Sequence, residues 1–143
     1  MDDDAVFGFQ LKQNLALAKH EVELCRTASL AIEELSSHTY DVLITDMIVR
    51  DEGHAVPDGG IKLIGWVRRT RAVRSLPIIA MTGVLKTFWM QDILKTAEQI
   101  GANTTLEKPF EIGALLKIID SFTHSSSQVV DRSQARYSSD VDE

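Results

Sequence analysis

Asp46 closes the run Asp41-Val42-Leu43-Ile44-Thr45-Asp46, a carboxylate at the end of a short apolar stretch. Three other features carry matching chemistry: the acidic triplet Asp2-Asp3-Asp4, a hydroxyl at Thr82 ending a second apolar run, and a lysine before proline at Lys108-Pro109. A carboxylate nucleophile, a group of acids for a divalent cation, a hydroxyl donor and an ammonium are the parts of metal-assisted phosphoryl transfer onto Asp46. Each residue also has a plainer reading. Asp2–Asp4 suit a solvated N-terminus or a helix N-cap, and Asp46 suits a cap between strand and helix. Thr82 reads equally as a cap or turn residue, Lys108 as a surface charge and Pro109 as a loop residue.

Strands and helices that alternate would bring these residues together. Val22–Thr27, Val42–Asp46, Pro77–Thr82 and Thr104–Glu107 read as strands, the middle two being short, apolar and β-branched. Helical spacing lies between them. Phe7, Leu11, Leu15 and Ala18 form one stripe; Leu30, Ala31 and Leu35 a second; Ile61, Ile64 and Val67 a third. Trp89, Ile93, Ala97 and Ile100 form a fourth, and Ile112, Leu115, Leu116, Ile119 and Phe122 a fifth. Apolar strands alternating with amphipathic helices predict an α/β fold with a parallel sheet covered on both faces. Such sheets bind ligands beyond the carboxyl ends of their strands, where Asp46 and Thr82 fall.

The bulk numbers suit this reading. A chain of 143 residues, 44% hydrophobic and 25% charged, has a one-domain length and a globular composition. The net charge of −6 argues against nucleic-acid binding as the main activity. No apolar run approaches the ~20 residues of a membrane helix, so no membrane insertion is expected. A lone Cys25 reads as a reduced thiol in a cytoplasmic protein. Arg68, Arg69, Arg71 and Arg74 gather near the end of one helix, where cations favour the dipole; a partner-binding patch is the alternative. After Phe122 the sequence turns polar, so residues 1–123 are expected to fold and residues 124–143 to form a disordered tail.

In order along the chain stand Asp2-Asp3 before the first helix, Asp46 after an apolar strand, Asp58-Gly59 before the third helix, Met81-Thr82-Gly83, Gly101-Ala102 and Lys108-Pro109-Phe110. This ordered set resembles a response-regulator receiver domain of two-component signalling, over roughly residues 2–122. The resemblance implies a flavodoxin-like, doubly wound parallel sheet of order 2-1-3-4-5. It implies Asp46 as phosphoacceptor, with Thr82 and Lys108 meeting phosphoryl oxygens. Mg²⁺ would be held by Asp2, Asp3, Asp46 and the backbone carbonyl of Ile48, an oxygen set that suits this cation.

The chain also departs from the family pattern. Only Met1 precedes the acidic pair, so the opening strand, central in the family sheet, is expected to be missing or truncated. Asp58 lies twelve residues beyond Asp46, farther than is usual, and the extra loop within Val49–Pro57 carries Arg50, Asp51, Glu52 and His54. That loop reads either as shaping kinase choice and metal access or as a solvated excursion. Thr82 and Lys108 are 26 apart, which lengthens the fourth helix or its leading loop, Val84–Ile100. Thr105 occupies the place where many members carry the aromatic that moves on phosphorylation. Apolar Ile48 and Val84 stand where members tune phosphate loss.

The functional expectation is a stand-alone cytoplasmic receiver that takes phosphate from a histidine kinase or histidine phosphotransfer protein. It would then change its affinity for a downstream protein partner, with a homodimer as one option. The reaction is regulatory self-phosphorylation and dephosphorylation rather than metabolic catalysis. The competing expectation is a receiver-like interaction module that works without phosphate. A flavodoxin-like cofactor binder is a weaker third, since no nucleotide-cradling glycine loop is present.

Overall fold

A computed structural model describes residues 1–51, 54–56, 59–83 and 90–135. It divides into residues 1–110 and 111–143. The first part holds helices α1 (Ala5–Leu17), α2 (Ala28–Ser37), α3 (Gly60–Arg69) and α4 (Met90–Ile100). Its strands are β1 (Leu43–Asp46), β2 (Val49–Asp51), β3 (His54–Val56), β4 (Ile78–Thr82) and β5 (Thr104–Glu107). The second part holds α5 (Ile112–Ala135).

The main sheet is parallel, in the order β1-β4-β5. All five residues of β4 are buried, as expected of a central strand apolar on both faces. Alternation splits them. Ile78 and Ala80 join one cluster with Ala28, Ala31 and Leu35 of α2, Leu63, Ile64 and Val67 of α3, and Ala97 of α4. Ile79 and Met81, equally buried, face the other side. Leu63, Ile64 and Val67 are wholly enclosed. Burying each contributes roughly 1.5–3 kcal/mol, which seats α3 firmly beside the sheet.

Register decides where the reactive residues emerge. Asp46 of β1 is level with Met81, and Thr82 of β4 is level with Glu107 of β5, which Lys108 follows directly. Three chain segments therefore leave the sheet at one edge. Met1 extends the sheet beyond β1, in the place expected for the first strand. Its nitrogen donates to the Ile44 carbonyl (2.5 Å), and its carbonyl accepts from the Asp46 amide (2.8 Å). Asp2 then donates its amide to the Cys25 carbonyl (3.0 Å), so Met1–Asp2 lies between β1 and the Cys25 segment. This stub delivers Asp2 and Asp3 to the same edge as Asp46.

Two expectations change. Val22–Thr27 is not a strand: its backbone gains one ladder bond, at Cys25, and Thr27 instead caps α2 by accepting from the Leu30 amide. A strand without a continuous partner ladder leaves its backbone to water, and no regular strand forms. The long loop after Asp46 contains structure. β2 and β3 pair antiparallel, Val49 opposite Val56 and Asp51 opposite His54. α5 runs through Ala135, and residues 136–143 lie outside the described ones. Asp58, Val84 and Trp89 also lie outside them. Among the described residues, no helix is long and apolar enough to cross a membrane.

Candidate functional site

The acidic triplet splits into separate tasks. Asp4 is the N-cap of α1; its carboxylate accepts from the amides of Val6 and Phe7, both at 3.0 Å. Asp2 is nearly enclosed, 3% exposed, and its Oδ1 accepts from the Asp4 amide (2.9 Å). With Asp3 and Asp46 it forms a cluster in which one carboxylate oxygen from each residue lies within 4.8 Å of the others. Asp46 itself is 8% exposed. Three carboxylates in so small a space repel one another and favour a cation.

Lys108 answers part of that charge. Its Nζ donates to Asp2 Oδ2 at 2.6 Å and to Asp46 Oδ2 at 3.2 Å. Burial draws the Lys108 pKa down, but the hydrogen bond to Asp2 and the charges of Asp46 and Asp2 outweigh it and hold the ammonium above its ordinary range. Asp46 moves the other way from a typical salt-bridged acid. Burial raises its carboxyl above the usual carboxylate range; Lys108 opposes this, and the nearby Asp2 charge adds to it. The Lys108 ammonium shares these surroundings with the buried Met1 amino group, which also feels the charges of Asp2 and Asp46, and the three carboxylates together offer oxygens to a divalent cation.

The donor set fits Mg²⁺, which takes oxygen ligands and uses one or two carboxylates with waters. Ile48 lies beside the cluster, its amide donating to Asp46 Oδ1 at 3.4 Å. Thr82 is buried at the end of β4, with its hydroxyl donating to the Gly83 carbonyl (3.3 Å). The Thr82 carbonyl accepts from the Lys108 amide (2.7 Å), which ties the two chain ends together.

Comparisons with known proteins identify the family and the fold. The family model described as the response regulator receiver domain matches residues 1–120. The chain belongs to the response regulator receiver domain family. It is also 28% identical over 126 residues to the DNA-binding transcriptional regulator NtrC of Azospirillum brasilense, an alignment covering 88% of this chain and 24% of that protein. The receiver thus spans about a quarter of this relative's length. Among solved structures it is similar to a CheY-like receiver domain protein from Methanospirillum hungatei JF-1, with TM-score 0.71 and 20% identity over 89% of this chain and 93% of that one. The receiver domain of a signal transduction histidine kinase from Syntrophus aciditrophicus gives TM-score 0.73 and 19% identity, covering 87% of each chain. These likenesses show the fold. A receiver domain of a response regulator, with a role in two-component signalling, is the result.

Two participants were missed in the sequence. Gly60 opens α3 directly against the site, where a Cβ would come within 2.3 Å of the Asp46 carbonyl oxygen and 2.9 Å of Met47 Cα. Any side chain there displaces the Asp46 backbone; the Gly59-Gly60 pair was the available signal. Phe7, expected only as part of an apolar stripe, places its ring 4.1 Å from Lys108 Nζ. Nothing in helical periodicity separates such a ring from a core residue.

Proposed function

We propose that this receiver accepts a phosphoryl group on Asp46 in an Mg²⁺-dependent, self-catalysed reaction and thereby changes its affinity for a protein partner. The carrying observation is the convergence of three carboxylates with the Lys108 ammonium, which bridges Asp2 and Asp46. Asp2, Asp3 and Asp46 would hold the cation, with the Ile48 carbonyl as the further ligand suggested by family resemblance. When bound, it would neutralise the charge of an approaching phosphate.

The chain's own groups do the rest. Asp46 Oδ supplies the nucleophile and is kept in place by its backbone pairing to Met1 and by the Ile48 amide. Lys108 is mobile enough in charge, being a point donor rather than a fixed fork, to turn from Asp46 Oδ2 to a phosphoryl oxygen. The Thr82 hydroxyl, presently on its neighbour's carbonyl, is the second donor for that group. Positioning and charge stabilisation, with little covalent chemistry by other residues, suit phosphoryl transfer. The donor class is a histidine kinase or histidine phosphotransfer protein, and the cytoplasm is the compartment that such a donor implies. The activity is regulatory, one phosphoryl group per chain.

Intact mass after incubation with acetyl phosphate and Mg²⁺ tests this. A species heavier by one phosphoryl group is expected, and it should be absent in Asp46→Asn and without Mg²⁺. A wild-type chain that is folded and binds Mg²⁺ yet never gains the mass would overturn the reading in favour of an interaction module that needs no phosphate.

A further inference from the structure

The Lys108 ammonium needs an anchor that chemistry does not take away. Its present partners are the carboxylates of Asp2 and Asp46. Both are also candidate cation ligands, and Asp46 is the proposed nucleophile. As soon as either carboxylate is engaged elsewhere, Lys108 loses part of its hold. A four-carbon stem with free torsions would then let the ammonium move towards water.

One contact to Lys108 does not compete with the site's reactions. The ring of Phe7 lies 4.1 Å from Nζ, well inside the range of a cation–π interaction. A neighbouring ring packs against it, and the helix cap fixes the backbone that carries it. Phe110, two residues beyond Lys108, meets it edge-on, with centroids 6.0 Å apart and planes at 85°. At its root, the Phe7 amide donates to the Asp4 cap of α1 at 3.0 Å. The same Asp4 donates its amide to Asp2, so the cap registers ring and acidic cluster together. Leucine of similar bulk would fill the space but has no negative ring face to offer a cation.

We propose that Phe7 is a positioning residue of the receiver: its ring holds the Lys108 ammonium at Asp46 while the carboxylates of the site are engaged by a cation or by phosphate. The part concerning phosphate rests on the reading of Asp46 as phosphoacceptor. Phe7 touches no reacting atom. It acts through Lys108, and it supplies a neutral attraction beside the exchangeable charges of Asp2 and Asp46.

The test compares Phe7→Leu with Phe7→Tyr, which keeps the ring, both checked for folding by urea denaturation. NMR of the Lys108 ε-methylene group reads the contact directly, because a ring face shifts nearby protons upfield. The shift is expected in wild type and Phe7→Tyr, both metal-free and with saturating Mg²⁺, and is expected to be lost in Phe7→Leu. At saturating Mg²⁺, acetyl phosphate should modify Phe7→Leu about three- to thirty-fold more slowly, the range of a partly buried cation–π contact, while Phe7→Tyr reacts close to wild type. Mg²⁺ affinity should be alike in all three, which a distorted acidic cluster would not allow. The proposal is overturned by an unchanged Lys108 shift in Phe7→Leu, by a wild-type rate in that variant, or by a Phe7→Tyr protein as slow as it. A wild-type chain that takes no phosphate removes the acceptor reading, and the NMR arm still decides whether the ring holds Lys108.

Discussion

Two cations are held at opposite ends of the parallel strands, and they are held differently. Lys108, just after β5, faces the carboxylates of Asp2 and Asp46. Arg68, on the last turn of α3, reaches the other end of the sheet, where its Nε donates to the Gly101 carbonyl (2.9 Å). Its Nη1 donates to the Arg74 and Leu76 carbonyls and its Nη2 to Asn103 Oδ1, all at 2.8 Å. Asn103 Oδ1 in turn accepts from the Ile78 amide (2.8 Å), so the guanidinium network reaches the first residue of β4 and the residue before β5. Burial lowers the Arg68 pKa, whereas the net effect on Lys108 is upward.

The difference lies in the partners. Backbone carbonyls cannot be protonated near neutral pH and cannot turn away; a planar fork of donors among them is a permanent brace. Carboxylates can exchange an ammonium for another cation, so Lys108 is poised to change partners. The arginine cluster expected from the sequence as a dipole effect is in this respect divided. Arg68 is bonded into the fold, while Arg69, Arg71 and Arg74 have exposed side chains.

Exchanging each cation for methionine should separate the two most sharply. On the proposed reaction, Lys108→Met should slow phosphorylation by acetyl phosphate roughly 10²–10³-fold, the usual effect of removing one group that stabilises developing charge. Without a metal it should also lose about 3–5 kcal/mol of stability, since removing one partner of a buried ion pair leaves the carboxylates of Asp2 and Asp46 uncompensated, and saturating Mg²⁺ should restore much of that loss. If Mg²⁺ restores an Arg68 variant equally, the contrast between the two cations fails.

Arg68→Met should lose about 2–4 kcal/mol of stability that Mg²⁺ does not restore, because several charged hydrogen bonds end together, with the phosphorylation rate little changed. Gly101→Ala refines this. Gly101 has φ +126°, and a Cβ there would meet Arg68 Cγ at 2.6 Å. Alone it should cost about 1–3 kcal/mol. Combined with Arg68→Ala, which removes Cγ, it should cost less than the sum of the two single changes, because the clash disappears and only the backbone strain remains. Strict additivity in denaturation would show that Arg68 and Gly101 do not act as one brace.

The smallest effect is one of pH. The folded-state pKa of Asp46 is raised, so between the unfolded carboxylate value near 3.9 and the raised one the folded chain binds more protons than the unfolded chain. Stability contributed by Asp46 is therefore greatest at low pH and falls as pH rises through that window. The stability difference between wild type and Asp46→Asn should fall over the same range and level off above it. Lys108 acts at the alkaline end, where its contribution is full below the unfolded lysine value and is lost as pH rises through the raised folded one. A flat difference across the acidic window would mean that Asp46 is solvated as an ordinary surface acid.

Local sequence carried much of the site. Asp46 and Thr82 close apolar runs, and the parallel register leaves them at the edge where Lys108 emerges; strand hydropathy was enough to expect that. The hairpin after Asp46 was not legible, because three-residue strands are shorter than any periodicity can resolve. The strand expected at Val22–Thr27 failed for the converse reason: its residues are suited to a sheet, but pairing belongs to the neighbour as much as to the segment.

The sequence by itself determined which residues can be charged, which stretches must be buried and in what order they follow, and these were sufficient for the family and the acidic cluster. Only the tertiary structure decided what each charge faces. Asp4 became a cap and Asp2 a partner of Lys108, though they are two residues apart. Phe7 met an ammonium, Gly60 met the Asp46 backbone, and Arg68 met carbonyls instead of acids. The physical reason is common to all of them. Composition and periodicity report how a residue prefers water or apolar surroundings, whereas a cation's role depends on distances of a few ångströms to groups far away in the chain.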